Sequence, residues 1–166
     1  MRSWAPAHAA AAAAAAAAFQ LACAGALRPG AEATMARFER SVGTGSATDL
    51  IAVSTRVVRQ NNFEIYKEDG APRIYIETRW KDRYPFDDEQ ALGATRAQTR
   101  LILRGTAHGT TPLGPLFKLD VSIENRLQLA VPDRWTENHA TPEYRKYADR
   151  VTEDLRRELE IALRKH

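Results

Sequence analysis

One cysteine, four histidines and one dense acidic run are the side chains of this sequence best suited to chemistry. Asp87-Asp88-Glu89 offers hard oxygen ligands for a cation such as calcium. The three acids are adjacent, however, and neither a glycine-shaped loop nor the EF-hand spacing accompanies them, so a solvated loop or the acidic start of a helical turn fits them better. His108 and His139 both fall in expected loops. A catalytic pair with Asp133 or Glu137 would lack the nucleophile context of a hydrolase elbow. Gly43-Thr44-Gly45-Ser46 has the outline of a phosphate cradle without the Walker lysine or a preceding strand, and reads as flexible chain. No catalytic residue, cofactor or metal site is assigned.

Cys23 is the sole cysteine, which excludes an internal disulfide and any multi-cysteine metal site. Its surroundings have the three-part layout of a secretory signal. Arg2 supplies the positive start, Ala9 through Ala18 with Phe19, Leu21 and Ala22 the apolar stretch, and Ala22 to Ala26 the small residues at its end. The apolar run is too short and alanine-rich for a permanent span, which needs about 20 apolar residues. Ala24-Gly25-Ala26 and Ala31-Glu32-Ala33 satisfy the small-x-small rule for ordinary cleavage. Gln20-Leu21-Ala22-Cys23 also resembles a bacterial lipobox, although Gln20 stands where that motif prefers an aliphatic residue. The resemblance implies lipidation of Cys23 and a membrane partner reached through a lipid anchor. The expected organisation is a signal over 1–26, a flexible tether over 27–45 and a single α+β domain over 46–166. A cytosolic protein with an overlong start is the competing reading.

The elements that would position any site follow from periodicity. Ser46 and Asp49 suit a helix N-terminus, and Ala47, Leu50, Ile51, Ser54, Val57 and Val58 make one stripe of a helix ending at Asn61-Asn62, with a strand as the competing reading because Val and Thr weaken the helix propensity. Phe63–Ile65, a turn over 68–72 and the alternation of Arg73–Lys81 read as a hairpin, with Ile74, Ile76, Thr78 and Trp80 on its apolar face. Thr95–Arg104 is a third strand, 105–115 a long hairpin loop, and 117–131 a fourth strand whose apolar alternation is broken only at Asn125. Thr141-Pro142-Glu143 opens a last helix, with Thr141 as cap and Pro142 in the first turn. The fold class expected is two-layer α+β, a four-stranded antiparallel meander with an N-terminal and a C-terminal helix packed on one face. That layout is similar in architecture to small periplasmic lipoproteins that assist outer-membrane assembly.

The alternation leaves Arg79, Lys81, Arg96, Arg100, Arg104, Lys118 and Arg126 on the wet face of the sheet, beside Glu77, Asp120 and Glu124. Such a face could receive anionic envelope ligands, lipid phosphates or acidic protein loops, and could equally be a ladder of cross-strand salt bridges. The loop over 82–94, with Tyr84, Phe86, Asp87 and Asp88, is the candidate partner contact. A formal charge of +3, with bases and acids interspersed, argues against nucleic acid. The function expected is a non-enzymatic binding or assembly module of the cell envelope. The alternative is a small ligand-binding or hydrolase-like domain with a pocket between sheet and helix.

Overall fold

The computed structural model of the chain describes residues 37–137 and 139–164; the expected signal, Cys23 and most of the expected tether lie outside them. Helix α1 (Ala47–Gln60) starts where the spacing predicts. Ser46 Oγ accepts from the Asp49 amide at 3.2 Å and donates to the Asp49 carboxylate at 2.6 Å. The helix ends at Asn61, and Asn62 takes a left-handed backbone, φ 56°, that turns the chain back. Helix α3 (Pro142–Leu163) is capped by Thr141, whose Oγ1 accepts from the Tyr144 amide at 3.3 Å, and Pro142 occupies the first turn.

Between these helices lie β2 (Ile65–Asp69), β3 (Ile74–Thr78), β4 (Lys81–Arg83), α2 (Asp87–Ala91), β5 (Ala94–Thr111), β6 (Gly114–Leu129) and β7 (Arg134–Glu137); β1 (Phe38–Gly45) precedes α1. The described residues thus form a mixed α+β structure with three helices and a seven-stranded antiparallel sheet, not four strands. The sheet order is β1-β6-β5-β3-β2, with β4 beside β5 and β7 beside β6.

Four sequence expectations are corrected. The end of the expected tether, 38–45, is edge strand β1, paired with β6 from Phe38↔Ile123 to Gly45↔Phe117. The expected long loop over 105–115 stays paired as a two-stranded arm, with Thr111↔Gly114 closing on a two-residue turn at Pro112 and Leu113. Trp80 leaves the apolar face, because residues 79 and 80 belong to neither β3 nor β4 and the phase changes between them. Ile102, placed on the wet face, is nonetheless buried, hemmed in by its cross-strand partners Glu77 and Ser122.

One face of the sheet carries the core. Ile74 and Ile76 of β3, Leu101 and Leu103 of β5, and Leu119 to Ile123 of β6 meet Leu50, Val53 and Val57 of α1. Tyr144, Ala148, Val151 and Leu155 of α3 complete the same cluster. Gly105 lets β3 and β5 approach at its upper end: a Cβ there would stand 2.7 Å from Ile74 Cβ.

Candidate functional site

The opposite face of the sheet is the surface on which the expected cationic residues gather. Cross-strand register sets Arg104 opposite Asp120, Arg100 opposite Glu124 and Gln98 opposite Arg126. Arg100 is the most engaged: its Nε meets Glu124 at 2.6 Å and its Nη1 meets Glu77 at 2.9 Å. Arg37 also reaches Glu124, at 3.2 Å. Arg79 pairs with Glu64 at 2.8 Å, Arg96 with Asp82 at 3.2 Å and Lys118 with Asp120 at 3.1 Å. Four of the seven expected cations are therefore neutralised in place, which is the salt-bridge ladder the sequence allowed, while Lys81 lies with Thr99 on the other face and donates to the Asn61 carbonyl. Arg104 and Arg126 make no ion pair with a carboxylate among the described residues.

Arg126 instead stands between two indoles. Its guanidinium carbon is 4.3 Å from the Trp80 ring centroid and 4.8 Å from that of Trp135, while Nε donates to Gln98 Oε1 at 2.6 Å. Trp80 also lies under Arg100 at 4.7 Å, and Trp135 under Arg96 at 5.5 Å. The result is a ladder of alternating rings and guanidiniums: Arg100, Trp80, Arg126, Trp135, Arg96. Each contact of this kind stabilises by about 0.5–1 kcal/mol where exposed, and the rings also fix guanidinium orientation. Partial burial there draws the Arg126 pKa below the usual arginine value, with Glu137 opposing. Arg104 lies 5.7 Å from the Tyr75 centroid. Burial raises the Tyr75 phenol, and its 2.7 Å bond to Glu77 adds to this.

An open groove of about 440 Å³ crosses the same face where β1, β6 and β5 run together. Arg104, Thr106, Lys118, Asp120 and Ser122 line it, and the buried Ser122 Oγ makes no hydrogen bond among the described residues.

The expected partner loop runs into the short helix α2, and its two aromatic residues part company. Tyr84 is 93% exposed. Phe86 is turned inward, 5.9 Å from the Tyr147 ring and 4.1 Å from the Arg83 guanidinium carbon. The Asp87 amide donates to Glu143 at 3.1 Å, and the Glu143 amide donates to Asp88 Oδ2 at 2.9 Å, so the starts of α2 and α3 brace each other. The three acids open α2, the helical-turn alternative of the sequence reading, but Glu89 is fully buried on the core face rather than in solvent. It accepts four hydrogen bonds: from Arg83 Nη1 at 2.7 Å and Nη2 at 2.6 Å, from Asn125 Nδ2 at 2.8 Å, and from the Phe86 amide at 2.9 Å. Arg83 also reaches Thr99 and Asn125 Oδ1, and Asn125 Nδ2 holds the His139 carbonyl at 2.9 Å. Asn125, the single break in the apolar alternation of β6, is the centre of this network. A polar side chain inside an apolar run was its sequence signal; Arg83 and Glu89 had none.

His108 and His139 are not brought together. His108 lies in the arm at the bulge opposite Leu116 and Phe117, whereas His139 adjoins Asn125, about 26 Å further along β6 at strand rise. Side chains of the core cluster fill the space between sheet and helices. No group of three or more His, Cys, Asp or Glu suited to a metal ion occurs among the described residues. No helix among them is long and apolar enough to cross a membrane. No protein-family model matches this chain, and no curated protein is significantly similar to it in sequence.

Proposed function

We propose that this chain is an exported envelope protein, anchored through a lipidated Cys23, whose domain is a non-enzymatic binding or assembly module. Its outer sheet face receives a phosphate-bearing anionic partner. The observation that carries the reading is Arg126, held between Trp80 and Trp135 with no carboxylate partner among the described residues. A guanidinium fixed in this way loses little freedom on forming charge-assisted, bidentate bonds to a phosphate. Arg104, beside the groove, is the second such donor. The signal layout and the lipobox-like Gln20–Cys23 support the envelope address.

Two measurements test the two halves. The mass of the mature N-terminal peptide from the native host should show an acylated Cys23; a free Leu27, a free Thr34 or an intact Met1 refutes the anchor. Binding to lipopolysaccharide, compared with a dephosphorylated preparation, should depend on the phosphates. It should fall at least about tenfold in Arg126→Glu with thermal stability largely kept. Equal binding by wild type and variant removes the outer face from the function.

A further inference from the structure

The two ends of the sheet differ. At one end β5 and β6 run out into the arm, tipped by Leu113 at 99% exposure. At the other end, where β5 begins and β6 finishes, three apolar side chains stand in solvent: Tyr84 at 93%, Leu92 at 55% and Val131 at 88%. The Ala130 amide bonds the Gly93 carbonyl at 3.0 Å, which joins the segments bearing Val131 and Leu92. Arg83 pairs with Ala97, so Tyr84 emerges beside Thr95 and Arg96, and these residues share a hollow of about 350 Å³. Arg134 is exposed beside them and makes no ion pair among the described residues, while Arg96 is held by Asp82 and Asp133 by Gln128.

We infer that this end of the domain rests on a phospholipid bilayer. An exposed tyrosine with aliphatic neighbours and flanking arginines is the composition that partitions into the headgroup boundary. The path of the chain points to the same occupant. Strand β1 runs antiparallel to β6, so Phe38, its first residue, is the end nearer this pole and Gly45 the end nearer the arm. Cys23 lies fourteen residues before Arg37, a covalent reach of at most about 50 Å. The inference rests on the proposed acylation of Cys23, which would hold a bilayer within that reach and raise its effective concentration at the pole. In this arrangement the arm points away from the membrane and the outer sheet face stands to the side, open to its anionic partner.

Hydrogen exchange of the host-processed protein, with and without vesicles of phosphatidylethanolamine and phosphatidylglycerol, tests the docking. Amides over 83–96 and 129–135 should exchange severalfold more slowly on vesicles, while the arm over 106–116 is unchanged. Tyr84→Ser, Leu92→Ser and Val131→Ser together should return exchange at the pole to the vesicle-free rate, and the acylated protein should still pellet with vesicles. Absence of slowing at the pole, slowing confined to the arm or the outer face, or slowing that survives the triple substitution overturns the inference. Acylated Cys23 without protection at the pole sinks the docking alone. Unmodified Cys23 with protection sinks the anchor and keeps the docking.

Discussion

Replacing Glu89 by alanine probes the least solvent-exposed ion pair among the described residues. The Glu89 side chain is wholly buried and that of Arg83 is 12% exposed, so their charges are poorly screened. Alanine removes the acceptor of four hydrogen bonds and leaves Arg83 with Thr99, the Tyr84 carbonyl, Asn125 and two rings. Breaking a buried pair from one side costs about 3–5 kcal/mol. For a domain of this size that corresponds to roughly 10–20 °C of melting temperature. Urea and thermal unfolding followed by circular dichroism provide the assay. The double substitution Arg83→Leu/Glu89→Leu should recover a large part of the loss, because the desolvation cost goes with the charges, giving a coupling energy of about 2 kcal/mol or more. A Glu89→Ala loss below about 1 kcal/mol, or additivity of the two single substitutions, refutes this account of the network.

Three further outcomes follow from other parts of the structure. Tyr144→Phe should be neutral or stabilise by up to about 1 kcal/mol, since the buried Tyr144 hydroxyl makes no hydrogen bond among the described residues; a clear loss in urea unfolding counts against it. Burial raises the phenols of both Tyr144 and Tyr147 above the ordinary value of 10.0. Their folded-state pKa lies above the unfolded one, so the stability they contribute is complete below about pH 10 and is lost as pH rises beyond it. Urea midpoints measured from pH 9 to 12 should fall across that window, less steeply in Tyr144→Phe. Gly105→Ala should destabilise by about 1–3 kcal/mol through the clash with Ile74, and exchange protection between β3 and β5 should weaken first.

Both long helices were legible because their signals are local: a cap and an apolar stripe in each, and in α3 a proline in the first turn, all lie within a few residues. The interiors of β5 and β6 were legible because one face is dry and the other wet, which writes a period of two into the sequence. Strand β1 lacks that contrast. Its buried apolar residues are Phe38 and Val42, and a register shift between Ser41 and Gly43 breaks the phase. The arm was missed because most of its residues face solvent on both sides, and Pro112-Leu113 is not a standard hairpin-turn pair. Of the seven cations placed on the wet face by alternation, Lys81 is turned to the other side: it pairs with the buried Thr99, and its Nζ donates to the Asn61 carbonyl at 2.7 Å. The rings that hold Arg126 were not read from the sequence, because Trp80 changes face where β3 gives way to β4, and Trp135 comes from β7, a four-residue strand that folds straight back on β6 and is too short to write a period of two.

The Glu89 network also bears on the order in which the molecule assembles. Its members come from the end of β4, the start of α2, the middle of β5, the middle of β6 and the chain before α3. Until the last of them arrives, a charge is stranded out of water, so partial assembly is disfavoured at every intermediate stage. Residues 83–99 and the stretch from 125 to the first turn of α3 should therefore open and close as one cooperative unit in native-state hydrogen exchange. The arm, which shares none of these bonds, should fray independently of them.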